Sequence, residues 1–81
     1  MVEVNLWSGL RRFTDGELVV NVEAKTVGQM LDALVQAHPG LEPVIEAGVS
    51  VALDGEVITN GDHTPISETS EIYLLQQLKG G

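Results

Sequence analysis

The chain contains no cysteine. That excludes disulfides, thiolate metal ligands and a cysteine nucleophile, and it suits a reducing compartment. Aromatic residues are scarce, one each of Phe, Trp and Tyr, so the core has to be built from Val, Leu and Ile. Basic residues are scarce too: four against twelve acidic ones, for a formal net charge of -8. Such a surface repels phosphate, which argues against nucleic acid; it suits a basic partner or serves solubility alone. No apolar run approaches the roughly 18–20 residues of a membrane span. No apolar stretch follows a basic start, so no secretory leader is expected, and the expected location is cytoplasmic.

The usual catalytic signatures are missing as well. There is no Gly-x-Gly-x-x-Gly, no Gly-Lys-Ser/Thr phosphate loop and no Gly-x-Ser-x-Gly elbow. His38 follows a helical segment and His63 sits in a loop. Neither has a second ligand at a metal-binding spacing, so no metal site is expected. The carboxylates are scattered over turns and exposed strand positions, and no acid–base pair stands out. A domain of this kind is not expected to be an enzyme by itself.

With 81 residues, the chain is long enough for one small domain, burying about 60–65% of its unfolded surface. Val2, Val4 and Leu6 alternate with polar residues, which predicts a half-buried strand with Trp7 at its end or over the edge of the core. Ser8 to Gly16 reads as a loop ending in an Asp15-Gly16 turn, with Arg11 and Arg12 as solvated loop charges. Leu18, Val20 and Val22 alternate in a second strand, with Val19 as the exception, and the two strands predict a hairpin. Thr26 and Gln29 form a capping box. The stripe Val27, Met30, Leu31, Leu34 and Val35 predicts one amphipathic helix, closed by His38-Pro39-Gly40. Leu41, Val44 and Ile45 add a short apolar turn. Val49, Val51 and Leu53 lead through Asp54-Gly55 into Glu56-Val57-Ile58, a second hairpin. Asn60-Gly61-Asp62 predicts a further turn, and Ile72 to Leu75 the last strand.

One helix among these strands needs one sheet face to cover it. The expected fold is therefore α+β, a mixed sheet packed on one main helix, with the last strand parallel to the first in the sheet centre. The expected body spans residues 1–75. Residues 76–81 form a flexible tail ending in Gly80-Gly81, whose glycines neither pack nor hold a strand.

The element order, the run Thr26-Val27-Gly28-Gln29-Met30-Leu31 through Ala37-His38-Pro39-Gly40-Leu41, the segment Val51-Ala52-Leu53-Asp54-Gly55-Glu56, then Thr64-Pro65-Ile66 with Glu71-Ile72 and the closing Gly-Gly together resemble the ubiquitin-like β-grasp sulfur carriers of the MoaD/ThiS type. The length is more similar to the small subunit of molybdopterin synthase than to the shorter thiamine carrier. The resemblance implies that an E1-like adenylating enzyme uses ATP to activate the carboxylate of Gly81. A persulfide donor then displaces AMP to leave a thiocarboxylate, and no cofactor is bound by the chain itself. In the molybdopterin case a large synthase subunit is a further partner. Thiamine, molybdenum or tungsten cofactor, sulfur-amino-acid synthesis and RNA thiolation stay open as pathways. So do two other roles, a ubiquitin-like protein modifier and a non-catalytic interaction module.

The residues expected to work are thus Gly81 as the reacting group, Gly80 beside it, and Gln77, Leu78 and Lys79 along an arm that contacts the partner. From Gln76 to Gly81 that arm reaches at most about 20 Å. Tyr73 and Leu75, on the strand face opposite Ile72 and Leu74, are the expected docking anchors.

Overall fold

The computed structural model describes residues 1–58 and 63–76. The Asn60-Gly61-Asp62 turn and residues 77–81 expected as the arm lie outside them. The sheet has five strands: β1 (Val2–Asn5), β2 (Val19–Val22), β3 (Val49–Leu53), β4 (Glu56–Ile58) and β5 (Ile72–Gln76), in the spatial order β2-β1-β5-β3-β4. β1 and β2 are antiparallel, as are β3 with β4 and with β5, while β1 and β5 run parallel. This is the expected mixed sheet, with the last strand beside the first at its centre. The ladder takes in Gln76 opposite Val49, so β5 runs one residue into what the sequence analysis assigns to the tail.

Alternation sets which face is dry. Val2, Val4, Val20, Val22, Val51, Ile72 and Leu74 are buried on one face, against α1 (Val27–Ala37) with its Val27, Met30 and Leu34. Each fully buried Leu, Ile or Met in this layer contributes about 1.5–3 kcal/mol. Thr26 caps α1, its Oγ1 accepting from the Gln29 amide at 3.2 Å. The return bond falls one residue earlier than in the standard box: the Lys25 amide donates to Gln29 Oε1 at 2.9 Å. His38, extended before Pro39, stops the helix. A 3-10 turn, Pro39–Leu41, then buries Leu41 completely. It leads into α2 (Glu42–Ala47), whose Val44 and Ile45 pack on the core edge.

The Asp54-Gly55 hairpin forms as expected. Both residues have positive φ, 50° and 88°, the conformation that a two-residue turn of matching twist requires. Asp54 has a second task. Its Oδ1 accepts from the Glu71 amide at 2.9 Å, and its own amide donates to the Glu71 carbonyl at 2.9 Å. The two bonds pin the entry of β5 to the β3–β4 turn.

Besides the longer β5, three expectations need correction. The short apolar turn expected around Val44 and Ile45 is a second α-helix, α2. Ser8–Phe13 is a 3-10 helix rather than an open loop, and it buries Leu10. The adjoining Thr14 is fully buried too, its Oγ1 donating to the Glu17 carbonyl at 2.6 Å. Leu18, expected as a core position of the second strand, is 41% exposed. It precedes the first paired residue of β2, an edge strand, and so has a neighbouring strand on one side only.

Candidate functional site

Strand register assembles the site. Asn5 pairs with Val19 on one side and with Tyr73 on the other; Tyr73 pairs with Ala52, and Ala52 with Val57. Directly paired residues share a face. A single row therefore crosses all five strands on the face away from α1: Val19, Asn5, Tyr73, Ala52, Val57. Leu75, two residues on from Tyr73, continues this face opposite Ser50. Val57 is 55% exposed, Tyr73 49%, and Val19 and Leu75 each 39%. Of the large apolar side chains left exposed among the described residues, only Met1 and Leu18 stand outside this group. An antiparallel sheet commonly leaves one face wet, but that face is then mostly polar. Here its centre is apolar.

The row is held firmly from below. Asn5 Nδ2 donates to the Ile72 carbonyl at 2.9 Å, tying β1 to β5 immediately beside Tyr73. Ile72 and Leu74, flanking Tyr73 in sequence, are buried at 0% and 2% exposure. Tyr73 and Leu75 thus lie exposed on the face opposite Ile72 and Leu74, in a paired strand rather than on a loop.

The direction of β5 fixes where the chain leaves this platform. Because β1 and β5 are parallel, Met1 lies at the pole where β5 begins. Its ammonium contacts Glu68 Oε1 at 2.6 Å and holds the Glu68 carboxyl below its ordinary range, through that hydrogen bond first and the charge second. Gln76 lies at the opposite pole. There it borders a groove of about 820 Å³ lined by Trp7, Arg12, Phe13, Pro43 and Val44. The Arg12 guanidinium sits 5.0 Å above the centre of the Phe13 ring, a cation–π distance. Gly9 is tight against Trp7: a Cβ there would come within 2.9 Å of the indole nitrogen.

Gln77, Leu78, Lys79, Gly80 and Gly81 lie outside the described residues. Val19 and Val57 join the face without being expected there. A signal existed in both cases: Val19 breaks the alternation of its strand, and Val57 is apolar in a three-residue strand whose neighbours are Glu56 and Ile58. The groove is likewise unexpected, because Trp7, Arg12 and Phe13 come from a segment without a strand or α-helix period. Among the described residues no group of three His, Asp or Glu side chains is placed to hold a metal ion, and no helix is long and apolar enough to cross a membrane.

A five-stranded mixed sheet grasping one main helix, with its last strand at the sheet centre beside the first, defines a ubiquitin-like β-grasp protein. The ThiS family model matches residues 4–81, and the chain belongs to that family of sulfur-carrier, ubiquitin-like proteins. No curated protein matches it significantly. Among solved structures it is similar to SAMP1 from Haloferax volcanii, at 30% identity over 99% of this chain and 98% of that one, with a TM-score of 0.70. It is similar also to the small archaeal modifier protein 1 of Methanosarcina acetivorans, at 25% identity over 99% and 95% of the two chains and a TM-score of 0.81. A third is a chain of the complex of subunits 1 and 2 of the Molybdopterin-converting factor from Helicobacter pylori, at 26% identity over 99% and 97% and a TM-score of 0.68.

Proposed function

We propose that the protein carries sulfur as a thiocarboxylate on Gly81, delivered by a partner that docks on the sheet face of Tyr73 and Leu75. The observation that carries this reading is the family match, which runs through the closing Gly80-Gly81. The chemistry needs little from the body of the chain. A carboxylate is a poor electrophile, because its charge repels an incoming nucleophile and it has no leaving group. An E1-like partner removes both obstacles. The carboxylate oxygen attacks the α-phosphate of ATP, pyrophosphate departs, and an acyl-adenylate remains. The terminal sulfur of a persulfide then attacks the acyl carbon and expels AMP, and a second thiol reduces the resulting S–S bond, freeing the thiocarboxylate. The chain brings no cysteine of its own to compete in this exchange.

The body acts as a handle. Its exposed row, apolar except at Asn5, gives a partner a place to grip, and glycines at the tip pass a narrow channel because they have no side chain. Gln77, Leu78 and Lys79 contact the partner along that channel. No cofactor is held by the chain, ATP belongs to the activating partner, and the work takes place in the cytoplasm. The sulfur acceptor in this reading is a molybdopterin precursor held by a large synthase subunit, a reading supported by the likeness to the Molybdopterin-converting factor. The test is an intact-mass measurement after incubation with the adenylating partner, ATP and a persulfide donor. Replacement of one oxygen by sulfur on Gly81 is expected; an unchanged mass contradicts the reading.

The likeness to the small archaeal modifier proteins favours a second reading, in which the same activated Gly81 is joined to lysines of other proteins. Its signature is a Gly-Gly remnant on target lysines in digests of cells, and the absence of such remnants removes it.

A further inference from the structure

A second apolar surface lies in the helical layer, away from the face of Tyr73 and Leu75. Between α1 and α2 runs a groove of about 400 Å³. Leu31 and Val35 of α1 and Ile45 of α2, all partly buried, supply its apolar lining; Asp32, Glu42 and Glu46, all exposed, supply its charge. The spacing explains the arrangement: residues four apart on a helix share a side, so Leu31 and Val35 line up, as do Glu42 and Glu46.

Only Glu42 is relieved within the fold, since it stands in the first turn of α2 where the helix dipole favours an anion. Glu42 and Glu46 are like charges one turn apart and repel each other. Glu46 stands in the last turn of α2, where the helix dipole disfavours an anion. The one ion pair among the described residues joins Met1 to Glu68, at another part of the surface. An apolar trough flanked by three carboxylates that form no ion pair among the described residues is complementary to a side chain array that is apolar along its centre and cationic along its flanks. We propose that this groove binds an amphipathic, Lys- or Arg-rich helix of a partner protein, laid in by its apolar stripe. The site stands apart from the tail chemistry and does not depend on it. Because it lies on the other side of the sheet from Tyr73, one partner can hold the helical layer while another grips the sheet face and takes the tail.

The test uses the whole chain, isotope-labelled, and a synthetic helical peptide with Leu at i, i+3, i+4 and i+7 spacing and Lys elsewhere. Two control peptides keep one property each: Leu with Glu, and Gly with Lys at equal charge. The expected result is saturable amide shifts centred on Leu31, Val35 and Ile45 with the Leu/Lys peptide alone. The pair Glu42→Lys and Glu46→Lys should weaken that binding about tenfold. The pair Glu3→Lys and Glu71→Lys changes net charge equally elsewhere on the exposed surface and should leave it nearly unchanged, as should Leu75→Ala. Equal shifts from the Gly/Lys peptide, shifts centred on Tyr73 and Leu75, or undiminished binding by the Glu42 and Glu46 variant would each overturn the proposal. A null result here leaves sulfur transfer by Gly81 untouched, since that is read by mass.

Discussion

Leu74 and Leu75 are chemically identical neighbours with opposite duties, and truncating each in turn separates handle from core. Leu74 is 2% exposed and packs in the cluster with Val51, Met30 and Ile72. Leu74→Ala removes its transfer free energy and leaves a cavity, a loss of about 2–5 kcal/mol. Leu75 is 39% exposed on the open face. Full burial of a leucine is worth about 1.5–3 kcal/mol, so the partial burial of Leu75 is worth roughly half that, and water fills the space vacated with no cavity cost. Leu75→Ala should therefore cost about 1 kcal/mol. A domain of this size has roughly 4–12 kcal/mol in hand, so the Leu74 variant approaches the unfolding threshold while the Leu75 variant remains folded. Urea titration followed by Trp7 fluorescence and far-UV circular dichroism measures both, with the midpoint reporting stability at unchanged slope. Partner affinity should respond in the reverse sense: Leu75→Ala loses it while still folded. If the two variants lose equal stability, the face carrying Leu75 is covered in the free protein and the docking argument fails.

Other expectations follow from the same structure. Thr14→Val keeps the shape of a fully buried side chain but removes its 2.6 Å bond to the Glu17 carbonyl, so thermal unfolding should show a loss of about 1–3 kcal/mol; Thr14→Ser, which keeps the hydroxyl, should lose less. Gly55→Ala meets no atom within 4 Å, yet the residue holds φ +88°. The cost is then conformational alone, about 1–2 kcal/mol, and Gly55→Asn should recover part of it. The Glu68 carboxyl titrates below its ordinary range because of the Met1 ammonium. A depressed folded-state value means a contribution present at neutral pH and lost as pH falls through that value. Acetylating the N-terminus should raise the Glu68 titration midpoint in a carboxyl-carbon NMR titration; an unmoved midpoint would show that the contact is not populated in solution.

What could be read from the sequence was chiefly what has a period. Val2, Val4 and Leu6 disclosed β1 and the stripe from Val27 to Leu34 disclosed α1, because each pattern repeats at the spacing of its own backbone; Asp54-Gly55 disclosed the second hairpin without a period, through residues that accept the positive φ of its turn. Ser8–Phe13 has no such repeat. A 3-10 helix places few residues inward, and a lone Leu10 flanked by Gly9 and two arginines looks like a loop residue until the core closes over it. Leu18 was misread for the opposite reason. It obeys the period of β2, but a period identifies a face and says nothing of where pairing stops. Tyr73 and Leu75 were legible by alternation within one strand. The row joining Tyr73 to Val19 and Val57 was not, because it depends on the register between strands and on β3 pairing with β5, which lie far apart in the chain.

The most direct test of the division between handle and tip is ATP–pyrophosphate exchange by the adenylating partner, with the full chain and with a chain lacking Gly80 and Gly81. The full chain should support exchange. The shortened chain should support none, yet still compete with the full chain for the partner through Tyr73 and Leu75. Exchange sustained without the two glycines, or a shortened chain that no longer competes, would contradict the account.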